Sequence, residues 1–320
     1  MAGKSLQDSL SLISVDQWGA IARLAATEDG RHEIAAIFDG GRFPFLEAYR
    51  RFLNIFAEAD FQVRSLRDYR AGAPDSRCVV LYHDVHCWDV LCALGLMIEN
   101  HRRGLSSTFF VNWDFAPEDV VYRDAFRTLI HMGDGVHDEI GLHAAPVPSW
   151  LRMEAFGGDD EAFLAWVNSS QAEEDLKVIV TGNGLTSFGV VSLQEVHEAS
   201  QCRLAAQVEA VRAEYPSLAH MNAHGDDAGR LLNRLFNKTE DVRFRDLHCG
   251  FFVTEEMCAA CGLQDTVMTY QRRNAALIRH IWEPQIAADM PRLLPPLLAE
   301  GEPRFVLNHP LGFADGRLKV

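Results

Sequence analysis

The stretch Cys78-Val79-Val80-Leu81-Tyr82-His83-Asp84-Val85-His86 constrains the fold more than any other part of the chain. An apolar run rich in strand formers leads directly into titratable side chains. Such groups at the end of a buried strand are costly unless they are paired, ligate a metal or face a solvent-filled site. Side chains two residues apart on a strand point the same way. Asp84 and His86 therefore share a face, and His83 takes the other. A carboxylate beside an imidazole can grip a metal ion or work as an acid/base pair. A salt-bridged structural histidine beside a strand-end aspartate is the bland alternative.

The remainder of the chain extends this pattern. Cys78–Tyr82, Ser106–Val111 and Glu139–His143 read as strands, separated by helices that use Val90, Leu94, Met97 and Ile98, then Val121, Phe126 and Leu129. Alternating strand and helix patterns indicate βαβ units and a parallel sheet. Asp89 is placed to cap the first of these helices and Gly104 to stop it. Residues 1–74 read as a helical N-terminal extension, in which Asp16 caps a helix through Trp18, Ile21 and Leu24. Phe45, Tyr49, Phe52, Leu53 and Phe56 recur there at helical spacing as a packing face. Further on, Val178-Ile179-Val180 reads as a strand. Ser192-Leu193-Gln194-Glu195 is a capping box that opens a helix running to about Tyr215, and Leu218–Ala223 leads into His224. The last strand is Phe305-Val306-Leu307, ending in Asn308-His309-Pro310.

Four apolar runs thus end in histidine, at His83 and His86, at His143, at His224 and at His309. The carboxyl ends of parallel strands build the sites of α/β proteins, so these side chains are candidates for one polar or metal centre. Trp113 and Asp114, after the second strand, are candidate substrate contacts, as is Asp226 beside His224. A metal held by imidazole and carboxylate, a carboxylate base and a histidine acid make up a kit for amide or ester hydrolysis. No GxSxG elbow and no cysteine in a nucleophile setting favour a covalent route.

The bulk composition narrows the partners. The 320 residues carry a net charge of −15, which disfavours nucleic acid and anionic membrane surfaces. No window reaches the ~18–20 apolar residues of a membrane span, and the first residues do not resemble a signal peptide. Seven scattered cysteines suit reduced thiols, so a cytoplasmic location is expected. The lone Cys258-Ala259-Ala260-Cys261 reads as a pair of buried thiols on a helix rather than a zinc ribbon.

The motifs, in order, resemble the NodB-type polysaccharide deacetylases, the fourth carbohydrate esterase family. They are most similar to a divergent branch whose first motif reads His-Asp-Val-Asp, here His83-Asp84-Val85-His86. Ser107-Thr108-Phe109-Phe110-Val111 resembles the family's Ala-Thr-Phe-Phe-Val run. Glu139-Ile140-Gly141-Leu142-His143 resembles its Glu-Ile-Gly-Leu/Asn-His motif, and Asn308-His309-Pro310 its late Thr-His-Pro. The resemblance spans about residues 75–312 and implies a deformed (β/α) barrel of about seven parallel strands over 75–320. It implies Asp84 as catalytic base, His309 as general acid, and His86 and His143 as ligands of a divalent metal such as zinc. The family's second metal histidine falls at Val147, so His224, or Asp84 itself, would complete the set. Ala223-His224-Gly225-Asp226 replaces the usual Arg-x-Pro-Tyr.

The expected activity is removal of an N-acyl group, acetyl in the first instance, from a sugar or sugar-like precursor. A carbohydrate-binding protein on a degenerate scaffold and a metal-free amidase are the alternatives. The N-terminal helices would either cover the barrel floor or form a homo-oligomer interface.

Overall fold

The computed structural model describes residues 15–40, 43–72, 77–86, 90–113, 120–135, 138–144, 151–181, 184–223, 255–265 and 304–310. Three helices come first: α1 (Val15–Ala25), α2 (Glu28–Gly40) and α3 (Pro44–Glu58). On α1 the buried side chains are Trp18, Ala22 and Ala25, one helical face. Asp16 sits inside the first turn instead of capping it, where its charge complements the helix dipole. Pro44 occupies the start of α3, where its missing N–H costs nothing. The Phe45, Tyr49, Phe52, Leu53 and Phe56 stripe is buried, as its spacing implies, and Leu46 joins it.

A short strand, β1 (Gln62–Arg64), and helix α4 (Leu66–Ala71) follow, so the N-terminal stretch is not wholly helical. Three residues are too few to show a period, and β1 exists because it pairs with β2 (Cys78–Val85). Helix α5 (Val90–Arg103) leads to β3 (Thr108–Val111), and α6 (Val120–Gly135) to β4 (Glu139–Ala144). Gly104 ends α5 at φ +62°, a conformation that suits glycine. The stripe on α3 packs against α5 so closely that a Cβ on Gly95 would lie 2.8 Å from the Phe45 ring. The Asp89 cap lies outside the described residues.

β2 pairs in parallel with β3, β3 with β4, and β2 with the last strand, β9 (Arg304–Asn308). β2, β3 and β4 are buried along their whole length, as parallel strands covered on both faces are. The α/β architecture with a parallel sheet is therefore as the sequence implies. Among the described residues no helix is long and apolar enough to cross a membrane.

The chain divides into two units, Met1–Leu142 with Glu214–Ser217 and Arg273–Val320, and His143–Ala213 with Leu218–Arg272. The second holds a π-helical turn (Leu151–Ala155), α7 (Asp160–Val167), α8 (Ser170–Thr181), the hairpin β5 (Gly184–Thr186) and β6 (Gly189–Val191), and most of α9 (Leu193–Glu214). It continues with β7 (His220–Ala223), α10 (Glu255–Ala260) and β8 (Gln264–Asp265), β7 and β8 pairing in parallel. Val178-Ile179-Val180 is helical, not a strand. Ala172, Leu176 and Ile179 bury one helical face against Leu151, Phe163 and Trp166, which overrides the β-branched local preference. The capping box forms: Ser192 N–H donates to Glu195 Oε2 at 2.8 Å, and Glu195 N–H to Ser192 Oγ at 3.2 Å. Cys258 is buried on α10, but Cys261 lies just beyond it and is only half-buried.

A polar network ties the amino ends of β3 and β4 to the helices of the first unit. Asp138 Oδ1 accepts from Ser107 N–H at 2.7 Å and from Asn100 Nδ2 at 3.3 Å, and Tyr49 donates to Asn100 Oδ1 at 2.7 Å. Next to it, Glu139 Oε2 accepts from Thr108 Oγ1 at 2.9 Å and from Arg67 N–H at 2.8 Å. Burial pushes the Asp138 carboxyl up to about 8, against the pull of its Ser107 and Asn100 hydrogen bonds. The folded chain therefore binds this proton more tightly than the unfolded one does. That contribution to stability is fully present below about pH 4 and is lost as pH rises through about 8. Asp138→Asn keeps the acceptor without the charge. In urea unfolding across pH it should be the more stable form near pH 8, with the difference closing toward acid. An unchanged pH slope would contradict a buried, protonated Asp138.

Candidate active site

The site is built where β2 and β9 run side by side. Their register pairs Val79 with Arg304 and ends with His83 opposite Asn308. Two segments 225 residues apart in the chain meet at this point. Asp84 and His309 are the residues that follow each half of that last pair. Past the strand ends, the imidazoles of His86 and His309 lie parallel, with ring centroids 5.1 Å apart. Asp84 and His86 are buried, and His309 is half-buried. The first unit thus brings together two imidazoles from distant parts of the sequence, with Asp84 two residues before one of them.

The alternation expected along β2 holds. His83 is fully buried on the face opposite to Asp84, stacked on Phe109 at 4.4 Å and edge-on to Tyr49 at 5.9 Å. Its Nδ1–H donates to Asn308 Oδ1. Burial pushes its pKa down to about 3, despite the opposing effect of the hydrogen bond it donates to Asn308. His83 is therefore a neutral imidazole near neutral pH, and a charge on it would be stranded among aromatic rings. Tyr82 lies on the Asp84 face and meets Phe110 edge-on at 5.9 Å.

His143 begins the second unit, continuing the side of β4 that carries Glu139 and Gly141. It is buried, and its Nδ1–H donates to the backbone carbonyl of Asn222 at 3.1 Å. Metal-ligating histidines are commonly backed by a carbonyl at the other ring nitrogen in this way. The donor chemistry of Asp84, His86 and His143 also suits zinc. Among the described residues, however, no three His, Cys, Asp or Glu side chains gather as a group able to hold a metal ion. His224, Asp226, Asp114 and the Val147 position lie outside those residues. Trp113 is buried with its ring tilted against Phe126 at 6.3 Å.

Two contributors were not legible as such. Asn308 reads in the sequence only as part of a short motif, and Asn222 acts through its main chain, which carries no side-chain signal.

No family model matches this chain, and no curated protein or solved structure was found to be similar to it.

His83 gives a test of the site's electrostatics. Its folded pKa lies below the unfolded value of about 6.5, so its contribution to stability is present above that pH and lost as pH falls toward 3. His83→Phe should flatten the acid limb of the stability profile and keep the stacking on Phe109. An acid limb identical to that of the parent chain would contradict a buried neutral ring.

Proposed function

We propose that this chain is a hydrolase of the polysaccharide-deacetylase type, acting on the N-acyl group of a sugar or sugar-like substrate. The observation that carries this reading is the pairing of β2 with β9, which joins the Asp84 segment to the His309 segment. A carboxylate base and an imidazole acid must both reach the scissile bond for such chemistry, and the register that pairs His83 with Asn308 supports such a placement of Asp84 and His309. A deformed (β/α) barrel is the architecture this reading calls for, with the first and last strands of the 75–320 region as neighbours.

In the reaction, Asp84 takes a proton from water as the water oxygen bonds to the acyl carbon. The C–N bond then breaks, and His309 delivers a proton to the departing amine. The amide is cleaved to a carboxylate and an amine, with no oxidant or reductant required. A divalent ion such as zinc, for which Asp84, His86, His143 and His224 are the expected ligands, would supply carbonyl polarisation and a more acidic water when bound. The backbone-anchored ring of His143 supports that role.

A metal-free amidase is the second reading. It is favoured by the presence of both Asp84 and His309 within the first unit. Metal analysis and turnover separate the two. The expected result is about one zinc, cobalt or nickel per chain, lost in Asp84→Ala and in His143→Ala. Acetate release from N-acetylated amino sugars should fall by roughly 10²-fold or more in Asp84→Asn. Turnover that survives chelation would establish the metal-free route. Chain that neither takes up metal on reconstitution nor releases acetate would overturn the hydrolase reading.

A further inference from the structure

We propose that His83 and Asn308 form a buried clamp that sets the register of β9 on β2 and thereby positions Asp84 and His309. Neither clamp residue is a catalytic group. Each immediately precedes one, and each points away from it, because successive side chains on a strand alternate between faces. The bond from His83 Nδ1–H to Asn308 Oδ1 therefore acts on the far side of the sheet from the reacting atoms. His83 is opposite Asn308 in the last register pair of the two strands, so the clamp sits where β9 would otherwise fray.

Stability alone is a poor explanation for this pair. His83 Nε2 and Asn308 Nδ2 are both buried and have no hydrogen-bond partner among the described residues. Each such atom carries a desolvation penalty that an apolar pair of similar shape would not. What the polar pair adds is directionality. Apolar side chains against Phe109 and Tyr49 would have no such directional requirement. A hydrogen bond between one imidazole and one amide is satisfied in a single register. A slip of one residue would turn His309 to the opposite face of the sheet and remove the imidazole from His86.

The inference rests on the hydrolase reading for its catalytic consequence, but the clamp itself can be tested without turnover. In the parent chain, side-chain ¹H–¹⁵N spectra should show a slowly exchanging imidazole Nδ1–H for His83 that disappears in Asn308→Leu. Its absence from the parent chain would overturn the clamp whatever the activity. The double variant His83→Phe/Asn308→Leu removes both orphaned polar atoms and is expected to be at least as resistant to urea as the parent. Its His86 and His309 ring signals should broaden or divide into several sets. With an N-acetyl amino sugar, kcat should fall roughly 10-fold or more with KM little changed, as misplacement of reacting groups produces. Should the double variant not fold, Asn308→Leu carries the same ring-signal and kcat comparison. Ring signals and kcat equal to those of the parent would overturn positioning. No turnover in the parent, together with an intact Nδ1–H signal and displaced ring signals in the variants, would overturn the hydrolase reading and leave the clamp standing.

Discussion

The structure depends on the parallel pairing of β2 with β9. β2 is buried along its whole length, and its register partners on either edge come from distant parts of the chain, β1 and β3 on one hand and β9 on the other. A strand so fully enclosed has no solvent to satisfy titratable groups at its end. β9 brings Asn308 to His83 as a hydrogen-bond acceptor, and the residue after it, His309, sets its ring parallel to that of His86. Fold and candidate chemistry thus share one contact. The amino-terminal ends of β3 and β4 are held by a different network, centred on the buried Asp138 and on Glu139, which fixes the strands without entering the site.

Much of this was legible in the residues because burial leaves a periodic trace. The β2 run is apolar up to its titratable end and β3 is apolar but for Thr108, as strands covered on both faces tend to be. The α3 stripe repeats every three or four residues, and Ser192 with Glu195 marks a helix start through side-chain chemistry alone. The strand-end position of Asp84, His86, His143 and His309 follows from the same pattern.

What escaped the sequence has physical causes. β1 is formed by its partner, since only Val63 of its three residues is buried. Val178-Ile179-Val180 has strand-like composition, yet Leu176 and Ile179 are needed on one helical face to close the core of the second unit. The His83–Asn308 bond joins residues at opposite ends of the chain, and no local pattern encodes such a contact. His143 is identifiable as a candidate ligand, but its orientation comes from the main-chain carbonyl of Asn222, which any residue would supply.

The central claim is that Asp84 and His309 act as one unit across the β2–β9 pair. A double-mutant cycle on acetate release from an N-acetyl amino sugar tests it most directly, using Asp84→Asn, His309→Gln and the two combined. Groups that serve one transition state are strongly non-additive. The expected result is a double variant scarcely slower than the slower single variant. Losses that multiply, or a single variant with parental kcat, would contradict the account.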